Sequence, residues 1–347
     1  MGGGSWDIGS YTARVNSAHA AGKSTFDYDS KVRAGVVHAV HPLLDPTMVA
    51  GSSSPFAGTV MREVCVTDEH PDPTAMLIWL DVTGSNYEAA TIVHAQLPRL
   101  QAYLKEGNFC ADPQINVSAV GDANSDNFPL QFGQFESDNR LDDQIAAMIL
   151  EGAGGGQRSE TYELGAYMAA RHVHQEPYEL YGKKGFVFFI GDEMPYDQIL
   201  NDYTRGHWRG GHTLKSLTGD EVAEPLDTKA VFDELKQKNH VFFLFQKQGA
   251  YSASEIVPAW ERVLGREYIV ELDRPELVVE VIAALVARFE AELDEEETTR
   301  AMIAAGGDSA AVGSAVKALA RLAPTGGGRI ATVTGSIDIT GDGADRI

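Results

Sequence analysis

From residue 74 onward, short apolar runs alternate with segments of helical spacing. That alternation predicts a doubly wound α/β domain, with a mostly parallel sheet and helices on both faces. Two further observations agree. "AMLIWL" (75–80) and "GFVFFIG" (185–191) are continuous apolar runs too short for core helices, as strands buried on both faces require. Polar loops follow both runs, where sheets of this kind place their ligands.

The elements read in order. Residues 1–73 lack clear periodicity, although "TVMREVCVTD" (59–68) has the pattern of one strand. They form an N-terminal extension expected to wrap around the next domain. "DEHPDP" interrupts the chain before strand 75–80. Residues 86–105 carry Ala89, Ile92, Val93, Leu97, Leu100 and Leu104 at helical spacing, and Pro98 is expected to kink or split that helix. "INVSAV" (115–120) is the next strand, and "LQFGQF" (130–135) a short edge strand. Helices are expected at 140–151 and 160–174, before the central strand 185–191. Helix 228–239, strand 240–246, helix 258–265 and strand 267–272 continue the alternation. Asp273 and Pro275 open a last long helix with an apolar stripe of Leu277, Val281, Leu285 and Phe289. The main domain is bounded at 74–297, and 298–347 reads as a C-terminal helix followed by a flexible Gly/Thr-rich tail.

The chain has 347 residues, with 50 Asp and Glu against 28 Lys and Arg, for a formal charge of -22. Such an acidic balance argues against nucleic acid or an anionic membrane as partner. Cys65 and Cys110, the only cysteines, make neither a disulfide framework nor a zinc site. No basic and apolar leader opens the chain, Trp6 defeats a myristoylation signal, and no apolar run reaches the roughly 18 residues that span a bilayer. A cytoplasmic protein is expected.

Three strand ends concentrate oxygen donors. "DVTGSN" places Asp81, Thr83 and Ser85 two residues apart after the first strand. "GGGQRSETYELGAYMAARH" is a glycine-rich loop running into a helix near Thr161, and "FFIGDEMP" leaves Asp192 just past the central strand. Two carboxylates and three hydroxyls form an all-oxygen set suited to a hard cation that keeps several waters. Neutral hydroxyls leave such a cation under-neutralised, with reason to take an acidic ligand from outside.

Together these motifs resemble a von Willebrand factor A domain over roughly residues 74–294. Asp81, Thr83 and Ser85 match the Asp-x-Ser-x-Ser motif of that family's metal-ion-dependent adhesion site, with Thr83 in place of the first Ser. Thr161 matches its metal-binding Thr, and Asp192 the Asp after the fourth strand. The resemblance is nearest to stand-alone bacterial and phage members. It implies Mg2+, or Mn2+ or Ca2+, held by Asp81, Thr83, Ser85, Thr161 and Asp192. It also implies a partner protein that supplies Asp or Glu to the ion. By analogy, a MoxR-type AAA+ ATPase is a candidate partner.

Two other classes stay open. A haloacid-dehalogenase-like phosphotransferase would use Asp81 as nucleophile, "GDEMPYD" (191–197) as its second acidic motif, and Lys183 or Lys184 as its lysine. Thr83 stands where that chemistry wants a general acid. A structural or assembly protein would carry a vestigial site. Weaker signals have plain readings. "AAGKST" (20–25) has Ser17 where a P-loop needs Gly. "DANSDN" (122–127) lacks the Gly and Glu of a calcium loop, so Asp122 is expected in a solvated polar loop, with support of the site as its other role. His172 and His174 are expected on a helix, pointing apart. His207 and His212 lie in a long loop (197–220) that is a candidate partner contact. "ELDEEE" (292–297) reads as the solvated end of the last helix, and Ser159 or Thr161 as a helix cap.

Overall fold

The computed structural model describes residues 5–22, 26–84, 87–152, 158–203, 211–247 and 249–322. Its centre is a six-stranded sheet of β1 (Thr74–Asp81), β2 (Pro113–Val120), β3 (Leu130–Gln131), β4 (Gly185–Gly191), β5 (Asn239–Gln246) and β6 (Ile269–Leu272). The spatial order is β6-β5-β4-β1-β2-β3, parallel throughout except for the edge strand β3. Strand order therefore reverses between β1 and β4, and Leu80 pairs with Ile190 there.

Successive residues of a strand point to opposite faces, and the core divides accordingly. Met76, Ile78 and Leu80 face one side, together with Phe186, Phe188, Ile190, Phe242 and Leu244. Helices α1 (Tyr87–Glu106) and α5 (Val278–Phe289) cover that side. Leu77 and Trp79 face the other side with Val187, Phe189, Phe243 and Phe245. There the cover is α2 (Tyr162–Arg171), α3 (Thr228–Lys238) and α4 (Ala253–Leu264). The doubly wound α/β architecture is as expected.

Several elements differ from expectation. Pro98 lies inside α1 without splitting it, because buried Val93, Leu97, Leu100 and Leu104 hold the helix against the core as one span. The expected helices 140–151 and 160–174 are shorter, at Arg140–Ala146 and Tyr162–Arg171. His172 and His174 are consequently not helical: His172 ends α2, and His174 lies in a short strand, Val173–Gln175. That strand pairs in parallel with Arg62–Val64, the part of "TVMREVCVTD" that is extended. Helix α4 starts five residues early, at Ala253, where Ser252 and Glu255 form a capping box. Helix α5 is wider in its apolar face than a stripe. Every residue from Val278 to Ala287 is buried, including Glu280, which pairs with Arg99 and accepts from the Tyr103 hydroxyl at 3.2 Å.

"ELDEEE" is not the end of that helix. Asp294 caps a separate helix, α6 (Glu295–Ala304), and α7 (Ser309–Ala318) follows. Met302, Val312, Ala315 and Val316 carry both helices into the core beneath α5. Residues 323–347, read as a tail, lie outside the described residues.

The amino-terminal segment contains helices Ile8–Ala20 and Asp27–Arg33, and it lies along the domain. Phe26 and Leu44 enter the core. The fully buried Arg62 donates to the carbonyls of Asp45, Met48, Phe132 and Gly133, tying this segment to the β3 region. Among the described residues no helix is long and apolar enough to cross a membrane.

Candidate metal centre at the strand-order reversal

Asp81 ends β1 and Asp192 follows β4, so the two acids flank the point where strand order reverses. Both are fully buried. Asp81 accepts the Thr83 amide at 2.9 Å and the Thr83 hydroxyl at 2.6 Å on Oδ1. On Oδ2 it accepts the Tyr162 hydroxyl at 2.7 Å. Asp192 accepts the Ala250 amide at 2.6 Å. Gly249 lies so close over Asp192 that a Cβ there would overlap the carboxylate.

Thr161 sits at the N-cap of α2 without a side-chain capping bond, so the expected capping role is not what its hydroxyl does. The hydroxyl instead donates to the Gly121 carbonyl at 2.5 Å and accepts the Ala123 amide at 3.3 Å. Gly121 follows β2, the neighbour of β1. Asp81, Thr83, Thr161 and Asp192 are thus brought to the carboxyl ends of the central strands. Ser85, and residues 153–157 of the glycine-rich loop, lie outside the described residues.

Further acids surround these four. Asp122 is fully buried, not solvated. It accepts the Asn124 amide at 3.0 Å, the Ser125 hydroxyl at 3.0 Å and the Tyr196 hydroxyl at 3.2 Å. Asp126 accepts the Asp122 amide at 2.7 Å. Glu160 and Glu193 are buried here as well, and each leaves one carboxyl oxygen without a partner.

Burial and like charge explain the electrostatics. Burial, then the charge of Asp192, pushes the Asp81 carboxyl up to about 6, against the opposing bonds from Thr83 and Tyr162. Burial pushes Asp126 up to about 7, with Glu151, Asp122 and Asp81 adding to it. Burial raises Glu160 and Glu193 as well, followed for Glu160 by the charges of Asp81 and Glu193. Without a counter-charge, burial and mutual repulsion therefore favour the protonated carboxyls here.

The donor set fits a hard divalent cation. Among the described residues no three His, Cys, Asp or Glu side chains converge as a cage. A set of two carboxylates and several hydroxyls is not such a cage; it suits an ion that retains water. The Thr83 and Thr161 hydroxyl hydrogens are spent on Asp81 and Gly121. That leaves oxygen lone pairs to donate to a cation.

Other candidates are placed elsewhere. Lys183 and Lys184 precede β4, at the opposite end of the strands from Asp81. Lys183 pairs with Asp72 and Glu290, and Lys184 donates to the Lys236 carbonyl. Neither can serve a phosphotransferase at Asp81. Asp197, the second Asp of "GDEMPYD", is exposed. His172 bonds the Val60 carbonyl and Asp220, and His212 bonds the Asp126 carbonyl at 2.9 Å. His207 and Trp208 lie outside the described residues, as do Lys23, Ser24 and Thr25 of "AAGKST". Tyr162, Glu160, Glu193 and Asp126 also stand at the centre, and no motif of the sequence marks them. Their only signal was adjacency to residues already singled out, at 160–162 and 192–193 and within "DANSDN".

The sequence matches no protein-family model. It matches no curated protein. Solved structures are similar in part. The pilus adhesin SpaC from Lactobacillus rhamnosus GG is 11% identical, with a TM-score of 0.44 over 66% of this chain and 31% of that one. The vWF domain of the type V pili tip protein Mfa5 from Porphyromonas gingivalis is 10% identical, with a TM-score of 0.38 over 64% of this chain and 96% of that one. Proximal thread matrix protein 1 from the mussel byssus, with a zinc-occupied MIDAS motif, is 12% identical, with a TM-score of 0.36 over 61% of this chain and 48% of that one. The chain thus spans about a third of SpaC and about half of the thread protein. The chain's own sheet runs 3-2-1-4-5-6 with an antiparallel third strand, and acids flank the reversal.

Proposed function

We propose that the domain is a divalent-cation-dependent protein-binding module. The observation that carries this reading is the pair of fully buried carboxylates, Asp81 and Asp192, facing each other's charge across the strand-order reversal. Burying like charges together is costly unless a counter-charge accompanies them. Asp81, Thr83, Ser85, Thr161 and Asp192 would hold the ion, directly or through water. Mg2+ suits the oxygen set, and Mn2+ or Ca2+ are alternatives. When bound, the ion supplies a positive charge at the carboxyl ends of the strands that an external carboxylate can neutralise.

The chain's own residues prepare that charge. Thr83 and Tyr162 orient Asp81 by donating to both of its oxygens. The backbone of Ala250 orients Asp192. The partner is a protein presenting Asp or Glu, and a MoxR-type AAA+ ATPase is the candidate that the family resemblance suggests. The acidic surface of the chain selects against anionic polymers as competitors.

A Mn2+ titration followed by the electron paramagnetic resonance of the free ion tests this reading. Wild-type protein is expected to remove Mn2+ saturably, near one ion per chain, and Asp192→Asn to remove far less. Equal uptake by both proteins would contradict it.

A further inference from the structure

We infer that the amino-terminal segment positions the loop that carries Thr83, through a clamp made by Asp29 and Arg33; this rests on the metal-binding reading above. Asp29 is 4% exposed on the short helix Asp27–Arg33. Its Oδ1 accepts the Leu150 amide at 3.1 Å, and its Oδ2 accepts Arg33 Nε at 2.6 Å. Arg33 Nη2 donates to the Leu150 carbonyl at 2.5 Å. Leu150 belongs to no helix or strand, so its amide and carbonyl have no regular ladder. Two side chains from more than a hundred positions earlier supply both partners.

The contact continues to the candidate centre. Gly152 donates its amide to the Val82 carbonyl at 3.3 Å. The Gly152 carbonyl oxygen lies 3.2 Å from where a Cβ on Gly84 would stand. Val82 and Gly84 flank Thr83, whose hydroxyl is fixed on Asp81. Arg33 also reaches within 3.0 Å of where a Cβ on Gly152 would stand, and Gly152 has φ +63, so only glycine fits there without strain. Asp29 and Arg33 thus hold residues 150–152, which in turn brace residues 82–84. They are positioning residues whose hydrogen bonds described here run to each other and to Leu150.

Charge and positioning predict different signs. Through charge alone, removing the Arg33 cation would tighten binding of Mn2+, and removing the Asp29 anion would weaken it. Loss of positioning weakens binding in both variants. The test is the Mn2+ titration on full-length wild type, Arg33→Ala, Asp29→Asn and Lys31→Ala. Lys31, on the same helix, pairs with Asp27 at the surface and serves as control. Metal-free hydrogen exchange at the Gly152 amide and a urea unfolding curve accompany each protein. The expected result is a loss of about tenfold in Mn2+ affinity for both clamp variants, faster exchange at Gly152, and Lys31→Ala unchanged. Tighter binding by Arg33→Ala, or Gly152 exchange equal to wild type, would overturn the inference. Affinity losses that only track the urea midpoint would overturn it as well. If wild type takes up no Mn2+, the reading of the centre fails separately, and Gly152 exchange still decides whether the clamp holds the loop.

Discussion

The Tyr162 phenol donates to Asp81 while its ring packs edge-on against Phe189, Phe243 and Trp260. The ring is held by the core, so Tyr162→Phe should keep the fold. It should lose about 1 kcal/mol of stability by urea unfolding. It should also weaken Mn2+ uptake, because one oxygen of Asp81 loses its orienting donor. Unchanged uptake would make the phenol merely structural. A Cβ at Gly191 would overlap the same hydroxyl, which explains why a glycine ends the central strand. Asp81, Thr83 and Asp192 were legible in the sequence because position alone, at the ends of apolar runs, marked them. Tyr162 was not, since nothing local says that the residue after Thr161 turns its side chain under the strand ends. Asp122 was misjudged for a related reason. Its loop is polar in composition, but Tyr196 and the β2–β3 connection cover it.

At the scale of elements, strands were read well and helix ends poorly. Buried parallel strands carry an uninterrupted apolar run, and β1, β4 and β5 each show one. Helix ends depend on capping, which the charge-rich stretch 292–297 concealed. There the Asp294 carboxylate accepts the Glu297 amide at 2.8 Å, and Glu297 returns a bond to the Asp294 amide at 3.0 Å. Asp294→Ala should therefore cost about 1 kcal/mol and selectively raise hydrogen exchange in Glu295–Ala304. Equal exchange in the variant would show that the core contact of Met302, and not the cap, holds this helix. The short strand Arg62–Val64 lay within a longer apolar pattern. Its partner Val173–Gln175 is a tertiary choice that no local pattern announces. Lys183 and Lys184 were plausible catalytic lysines in sequence, and the direction of β4 alone sends them to the wrong end of the strands.

Across the whole molecule, the buried acids link stability to pH and to cation. Asp81 and Asp126 are pushed up from 3.8 to about 6 and about 7, so between those values the metal-free folded state binds more protons than the unfolded one. Their contribution is then fullest below about pH 4 and is lost as pH rises through about 6 and 7. For Asp81 the shift corresponds to about 3 kcal/mol at most, since each unit is worth about 1.4 kcal/mol. Urea unfolding of chelator-treated protein should show this decline between about pH 4 and 7, and saturating Mg2+ should flatten it. A decline identical with and without Mg2+ would remove the cation from the account. The central claim is met most directly by calorimetric titration of chelator-treated protein with Mg2+, wild type beside Asp81→Ala. Saturable heat near one ion per chain, absent from the variant, is the expected result. Indistinguishable titrations of the two proteins would contradict a cation held at Asp81.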